Sequence, residues 1–178
     1  NARTALLSYL AARKEGGRFI LRVEDTDEAR STEAFMHSLY EDLRWLGLTW
    51  DEGPDIGGPH APYRQQERRE LYGNWLAKLD ALKLTYPCFC TPAELNIARK
   101  RQLAAGKPPR YPGTCRNLSP EQAAERRARG EPAALRFRVP SGASVEFEDV
   151  VHGAQRFNTD DIGDFIIQRT DGSTAFFF

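Results

Sequence analysis

Three cysteines fall in one short region. Cys88 and Cys90 are one residue apart, and Cys115 follows after a loop. Thiolates are soft ligands, and this arrangement can fill three corners of a zinc tetrahedron. A closed site needs a fourth donor. Tyr111, four residues before Cys115, offers an uncommon oxygen, and Asn117 a poorer one. Four protein donors leave no position for substrate, so such a metal would be structural and would pin residues 88–115. Three buried free thiols are the competing reading. A second chemistry is acidic. Arg22-Val23-Glu24-Asp25-Thr26-Asp27 follows the apolar run Phe19-Ile20-Leu21, the pattern of a buried strand that ends in acids. Ligands of open α/β sheets bind beyond the carboxyl ends of strands, where Glu24 could meet an ammonium group or a hydroxyl. The alternative is a turn whose acids cap the next helix. A third feature is basic. Residues 99–129 hold nine bases against two acids, whereas residues 24–55 hold ten acids against two bases. On a chain of zero formal net charge, a basic segment suggests a local site for phosphates, most often those of a nucleic acid. A solvated helical face is the plain alternative.

The elements that would position these groups follow from periodicity and stop signals. Residues 2–14 read as a helix with Leu6, Leu7 and Leu10 on one face, ended by Gly16-Gly17. The first strand of a βαβ unit would then lie upstream of Asn1. Residues 18–23 read as a strand. Ser31 or Thr32 caps a second helix, with Phe35, Leu39, Leu43 and Leu46 as its stripe and Gly47 at its close. Helix, strand and helix in this rhythm predict a parallel sheet with crossover helices. A long loop runs from Trp50 to Gln65. A third helix is expected over 66–84, with Leu71, Trp75, Leu79 and Leu82 as core. Thr91-Pro92-Ala93-Glu94 and Ser119-Pro120-Glu121-Gln122 are capping boxes with proline at the first helical position. Strand-like runs follow at 133–139, 144–148, 164–168 and 174–178, with Pro140-Ser141-Gly142 as a hairpin turn. The composition shift near Tyr86 and the return of alternating strands after Ala133 mark an inserted subdomain at 86–157, between segments 1–85 and 158–178.

Composition narrows the class. With 40% hydrophobic and 28% charged residues, the 178 residues are those of a soluble globular protein. No apolar run is long enough to span a membrane. An odd number of clustered cysteines argues against a secreted disulfide framework. A cytoplasmic protein is expected. The first residue is Asn1 and not Met, so a missing start is also expected.

Six short motifs, in order, resemble bacterial glutamyl-tRNA synthetases. They are Asn1-Ala2-Arg3-Thr4-Ala5-Leu6-Leu7, the stretch Arg22–Asp27, and Trp45-Leu46-Gly47-Leu48 with Trp50-Asp51-Glu52-Gly53-Pro54. Tyr63-Arg64-Gln65-Gln66-Glu67-Arg68, Arg110-Tyr111-Pro112-Gly113-Thr114-Cys115-Arg116, and Asp164-Phe165-Ile166-Ile167 with Arg169-Thr170-Asp171-Gly172 complete the set. The resemblance covers essentially the whole chain. It implies an α/β fold: a Rossmann-type parallel sheet, here incomplete, with an inserted α+β connective subdomain that handles the tRNA acceptor end. It implies activation of L-glutamate with ATP and Mg²⁺ as glutamyl-adenylate, then transfer to the 3′ end of tRNA(Glu), by a monomer. Glu24 matches the acid that contacts the amino group of glutamate. Asn1 matches the last position of the His-x-Gly-His-type signature beside ATP. Phe176 falls where many members place a tyrosine near the substrate. Cys88, Cys90, Tyr111 and Cys115 match the Zn²⁺ pattern of some members. Arg110 and Arg116 fall in the segment expected to hold tRNA.

The departures from the family pattern bear on activity. The chain starts after the His and Gly of the first signature, and it ends before the Lys-rich loop that neutralises the triphosphate. It also lacks the upstream Arg for the substrate side chain and the anticodon-binding domain. Adenylation rests on positioning and charge stabilisation, so the resemblance implies an internal segment of the catalytic half that is expected to be inactive alone, and no catalytic residue is assigned within it. Two rival readings remain. One is a glutamyl-queuosine tRNA(Asp) synthetase, against which the helix at 119–130 and Thr26 count. The other is a non-catalytic module that binds the tRNA acceptor stem.

Overall fold

The computed structural model describes residues 2–25, 31–175 and 178. It divides into two compact units, 1–73 and 74–178. In the first unit, helix α1 (Ala2–Lys14) leads through Gly16, in the left-handed region at φ +64°, to residues 18–25. This extended stretch is bridged in parallel to two later segments, Ile20 to Glu52 and Val23 to Arg64. Leu21 N–H donates to the Glu52 carbonyl (2.9 Å) and Val23 N–H to the Tyr63 carbonyl (2.8 Å), while the Val23 carbonyl accepts from Gln65 N–H (3.0 Å). The expected strand therefore stands at the centre of a small parallel arrangement, in keeping with an α/β fold.

The core of this unit is Phe19, Val23, Met36, Tyr40, Leu43, Leu48 and Trp50, flanked by Ala5, Tyr9, Ala12 and Leu21. Two helix faces differ from expectation. On α1 the packed face is Ala5, Tyr9 and Ala12, fixed by an edge-to-face contact of Tyr9 on Phe19 at 5.4 Å; Leu6, Leu7 and Leu10 are exposed. On α2 (Glu33–Trp45) the buried stripe is Met36, Tyr40 and Leu43. Phe35, Leu39 and Leu46 are exposed, because the Tyr40 ring rests against Trp50 at 5.6 Å and sets the rotation of the helix. The Thr32 side chain caps α2, as the sequence predicts.

The third expected helix is split. A 3₁₀ turn covers Gln65–Arg68 and α3 covers Arg69–Ala81, with the boundary between units inside it. Leu76 is its buried residue, while Leu71, Trp75 and Leu82 are exposed and Lys78 covers the Trp75 ring at 4.2 Å.

The second unit is built on an antiparallel sheet in the order β1 (Thr85–Cys88), β2 (Ala134–Phe137), β5 (Phe165–Gln168). β1 is an edge strand, where Pro87 costs no ladder donor. Two capped helices, α4 (Pro92–Ala104) and α5 (Pro120–Ala128), lie between β1 and β2 in sequence. Both capping boxes form as expected, each cap contributing about 1 kcal/mol.

The expected hairpin does not join 133–139 to 144–148. β3 (Ser144–Asp149) instead pairs with β4 (Gly153–Asn158). The Asp149 carboxylate accepts from Val151 N–H (2.9 Å) and His152 N–H (2.8 Å) and so closes the turn locally. The short α6 (Thr159–Ile162) follows β4. Of the run 174–178, Thr174 bridges to Gln168 and Ala175 N–H donates to the Ile167 carbonyl (2.9 Å); Phe176 lies outside the described residues, as do Asn1, Thr26 and Asp27.

Candidate functional site

In the first unit, the acids at the end of the extended stretch part ways. Successive residues of an extended chain face opposite sides, and the two side chains meet opposite fates. Asp25 is fully buried. Its carboxylate accepts from Gln66 N–H (3.0 Å) and Arg64 Nε (3.4 Å), and its carbonyl accepts from the Gln66 amide (2.8 Å). Arg64 also reaches Glu33 on α2 at 2.6 Å. Asp25 is therefore the structural acid that ties the strand end to residues 64–66. Glu24 is exposed and pairs with Arg22 at 2.6 Å. It stands just past Val23, the last bridged residue, where the sequence places a ligand-facing acid.

The long loop after Trp50 is pinned from within. The Glu52 carboxylate is 1% exposed and accepts from the Tyr63 hydroxyl (2.5 Å) and Arg18 (3.2 Å), with His60 Nδ1 at 2.9 Å. The Tyr63 hydrogen bond, then that of His60, brings its carboxyl down to about 2. Gly58 sits at φ +142°, and a Cβ there would come within 2.3 Å of the Tyr63 hydroxyl oxygen. Only glycine fits that point. The sequence marks this loop as long but does not show its buried acid.

In the second unit, the thiols meet. The sulfurs of Cys88, Cys90 and Cys115 all lie within 4.8 Å of one another. Cys88 ends β1, Cys90 directly precedes the α4 cap Thr91, and Cys115 follows the turn at Gly113, whose φ is +80°. Cys90 and Cys115 sulfurs are 3.7 Å apart. The Tyr111 hydroxyl is 3.4 Å from the Cys88 sulfur and 3.5 Å from that of Cys90, and it accepts from Cys115 N–H at 2.9 Å. With zinc–sulfur bonds near 2.3 Å and zinc–oxygen near 2.1 Å, tetrahedral edges are about 3.8 Å between sulfurs and about 3.6 Å from sulfur to oxygen. The Cys90–Cys115 distance and the two Tyr111–sulfur distances match these edges. Burial opposes a Cys88 thiolate, but hydrogen bonds from Tyr111 and Arg136 outweigh it and hold the thiol below its ordinary value. Burial pushes Cys90 up to about 11 and also raises Tyr111. Three adjacent thiols resist joint ionisation, and a divalent cation among them removes that penalty. Tyr86, Phe89, Leu118, Ala123 and Ala133 pack around the cluster.

Arg110 and Arg116 do not present free charge. Arg110 donates to the Asp160 carbonyl and to Asp161, each at 2.8 Å. Arg116 pairs with Asp164 and donates to the Val139 carbonyl (2.9 Å). Asp164 is buried and also accepts from the Tyr86 hydroxyl (2.5 Å) and Val139 N–H (2.9 Å). Exposed bases of the same segment that make no ion pair among the described residues are Arg99, Lys100, Arg101, Lys107 and Arg127.

The chain is 59% identical over its full length to glutamate–tRNA ligase 2 of Nitrosococcus oceani, and 57% identical to that of Alkalilimnicola ehrlichii. It spans 38% and 37% of those proteins. A crystal structure of a glutamate tRNA ligase from Elizabethkingia meningosepticum, in complex with its amino acid, superposes with a TM-score of 0.84 at 34% identity, covering 98% of this chain and 36% of that one. The glutamate-tRNA synthetase of Elizabethkingia anophelis gives a TM-score of 0.85, again at 34% identity, covering 98% of this chain and 37% of that one. The family model described as tRNA synthetases class I (E and Q), catalytic domain, matches residues 1–178. With every residue inside that match, the chain belongs to the class I tRNA synthetases of the E and Q type, within their catalytic domain.

Proposed function

We propose that the protein carrying this chain is a glutamate–tRNA ligase. It activates L-glutamate with ATP and Mg²⁺ and passes the glutamyl group to the 3′ end of tRNA(Glu), acting as a cytoplasmic monomer. The observation that carries this reading is the 59% identity, over every residue of the chain, to a ligase of that name. No helix among the described residues is long and apolar enough to cross a membrane.

Within this reading each part of the chain has a task. Residues 1–85 and 158–178 belong to the catalytic domain, and 86–157 form the connective subdomain. Glu24 takes the ammonium group of glutamate. Its exposure just past the bridged strand, while Asp25 is consumed by Arg64 and Gln66, supports that role. Asn1 lies beside ATP and Phe176 beside glutamate. Cys88, Cys90, Tyr111 and Cys115 hold a structural Zn²⁺, which supplies a rigid tie between β1 and the 110–116 loop. Arg110 and Arg116 fix that loop through Asp161 and Asp164, and the tRNA phosphates fall to exposed bases such as Arg99, Lys100 and Arg101.

Glutamate-dependent ATP–pyrophosphate exchange on the full-length protein, with and without tRNA(Glu), tests the reading. Exchange only in the presence of tRNA is expected. Exchange without tRNA identifies a glutamyl-queuosine tRNA(Asp) synthetase instead, and no exchange under either condition identifies a non-catalytic acceptor-stem module.

A further inference from the structure

β2 carries a charged side chain into the interior. Arg136 is 5% exposed, and its guanidinium carbon lies 3.6 Å from the centroid of the Tyr111 ring. One terminal nitrogen donates to the Asp164 carbonyl at 3.1 Å. Its buried Nε has no partner among the described residues. No carboxylate pairs with it among those residues either: the Asp164 carboxylate is taken by Arg116, Tyr86 and Val139 N–H. A guanidinium does not give up its proton, so this is a buried cation in need of an anion.

The strand register says where that anion is. Ala134 lies opposite Cys88, and Arg136 lies opposite Tyr86. Residues two apart share a face of a strand, so Arg136 and Cys88 are neighbours on the same side of the sheet. The other arginine at the cluster is already neutralised: Arg126 covers Phe89 at 4.6 Å and is hydrogen-bonded to Glu131 at 2.7 Å. Three thiolates and a tyrosine around a divalent ion leave a centre that is net negative by at least one charge.

We propose that Arg136 is the counter-ion and positioning residue of an anionic zinc centre, its buried guanidinium beside Cys88 and flat on the Tyr111 ring. It neutralises the excess negative charge and holds the tyrosine in the fourth position. This rests on the zinc reading of Cys88, Cys90, Tyr111 and Cys115.

The test uses the full-length protein with zinc alone as the probe. Zinc content, the zinc dissociation constant against a competing chelator, and thermal melting with and without chelator are compared for wild type, Arg136→Met and Arg136→Lys. Wild type is expected to hold zinc. Arg136→Met should lose affinity by about ten- to a hundredfold, as partners behind metal ligands do, and Arg136→Lys, which keeps the charge, should lose less. After chelation the order should invert: the methionine variant should melt at or above wild type, because a buried cation without an anion has been removed. A merely structural arginine would lower both melting points. Wild-type zinc affinity in Arg136→Met, or equal destabilisation of the loaded and chelated forms, overturns the role of Arg136 and leaves the zinc reading standing. A wild type without zinc overturns both. Should the methionine variant not fold, Arg136→Gln takes its place in the same comparison.

Discussion

Asp164→Ala should loosen the junction between β5 and β2 by an amount that can be worked out from its partners. The Asp164 carboxylate accepts from the Tyr86 hydroxyl and Val139 N–H, both buried, and pairs with Arg116. Removing it strands two neutral donors in the interior, each at about 1–3 kcal/mol. Arg116 keeps partial access to water and its bond to the Val139 carbonyl, so it adds little. The expected loss is about 2–6 kcal/mol, the sum of those two donor penalties. The matched control is Asp161→Ala. Asp161 is 68% exposed and pairs with Arg110 at the surface, and such pairs contribute about 0–1 kcal/mol.

Amide hydrogen exchange on the full-length protein reads this locally, which suits a chain of more than one unit better than a global melt. At about 1.4 kcal/mol per decade, protection of Val139 and Ile167 should fall at least 30-fold in Asp164→Ala and less than about sixfold in Asp161→Ala. The sign with pH follows from the same contacts. Burial works against the Asp164 carboxylate, but hydrogen bonds from Arg116, Tyr86 and Val139 N–H outweigh it and hold its carboxyl below the ordinary value. A carboxyl depressed on folding contributes stability above its unfolded pKa, near 3.9, and loses it as pH falls through the folded value. Protection should therefore fall with acid in wild type through that window and show no such step in Asp164→Ala. Protection within threefold of wild type in Asp164→Ala would refute the assignment of this carboxylate as the tie between the strands.

The remaining predictions concern the proposed function. Glu24→Gln should raise the glutamate KM by roughly 10- to 100-fold, the worth of a charge-assisted hydrogen bond, with circular dichroism and melting unchanged; a wild-type KM would remove Glu24 from the site. Replacing Arg99, Lys100 and Arg101 together by alanine should weaken tRNA binding and lower the slope of log K against log salt by about 2–3, and an unchanged slope would place the phosphates elsewhere. Stripping zinc with a chelator should speed tryptic cleavage after Arg110 and Arg116, because the 110–116 loop loses its tie to β1; equal cleavage with and without metal would count against a pinned loop.

What the sequence discloses is what is local. The two capping boxes need partners only three residues apart, and both form as read. The strand before Glu24 and the one-residue spacing of Cys88 and Cys90 are equally local. Helix faces are less so. α2 offers two apolar stripes, and only the contact of Tyr40 with Trp50 selects Met36, Tyr40 and Leu43 over Phe35, Leu39 and Leu46. β4 was hidden because Gly153–Asn158 holds a single large apolar residue, and its pairing is set by the Asp149 turn. Charges are the least legible. Arg110 and Arg116 look free until Asp161 and Asp164 arrive from about fifty residues away.

The same limit makes Arg136 informative. Leu135-Arg136-Phe137-Arg138 alternates with a period of two, and by that period alone Leu135 and Phe137 belong inside and both arginines outside. The fold does the opposite at Arg136, burying it while Leu135 and Phe137 stay half-buried. A strand that turns a cation inward against its own apolar pattern forgoes hydrophobic burial and takes on a desolvation cost. That inversion needs an attractive term on the inner face, and the groups there that can become anionic are the thiols and the phenol around Cys88. The inversion therefore argues for a negatively charged centre alongside the sulfur distances, because with neutral thiols Arg136 would have only the Tyr111 ring and the Asp164 carbonyl, among the described residues, to offset its burial.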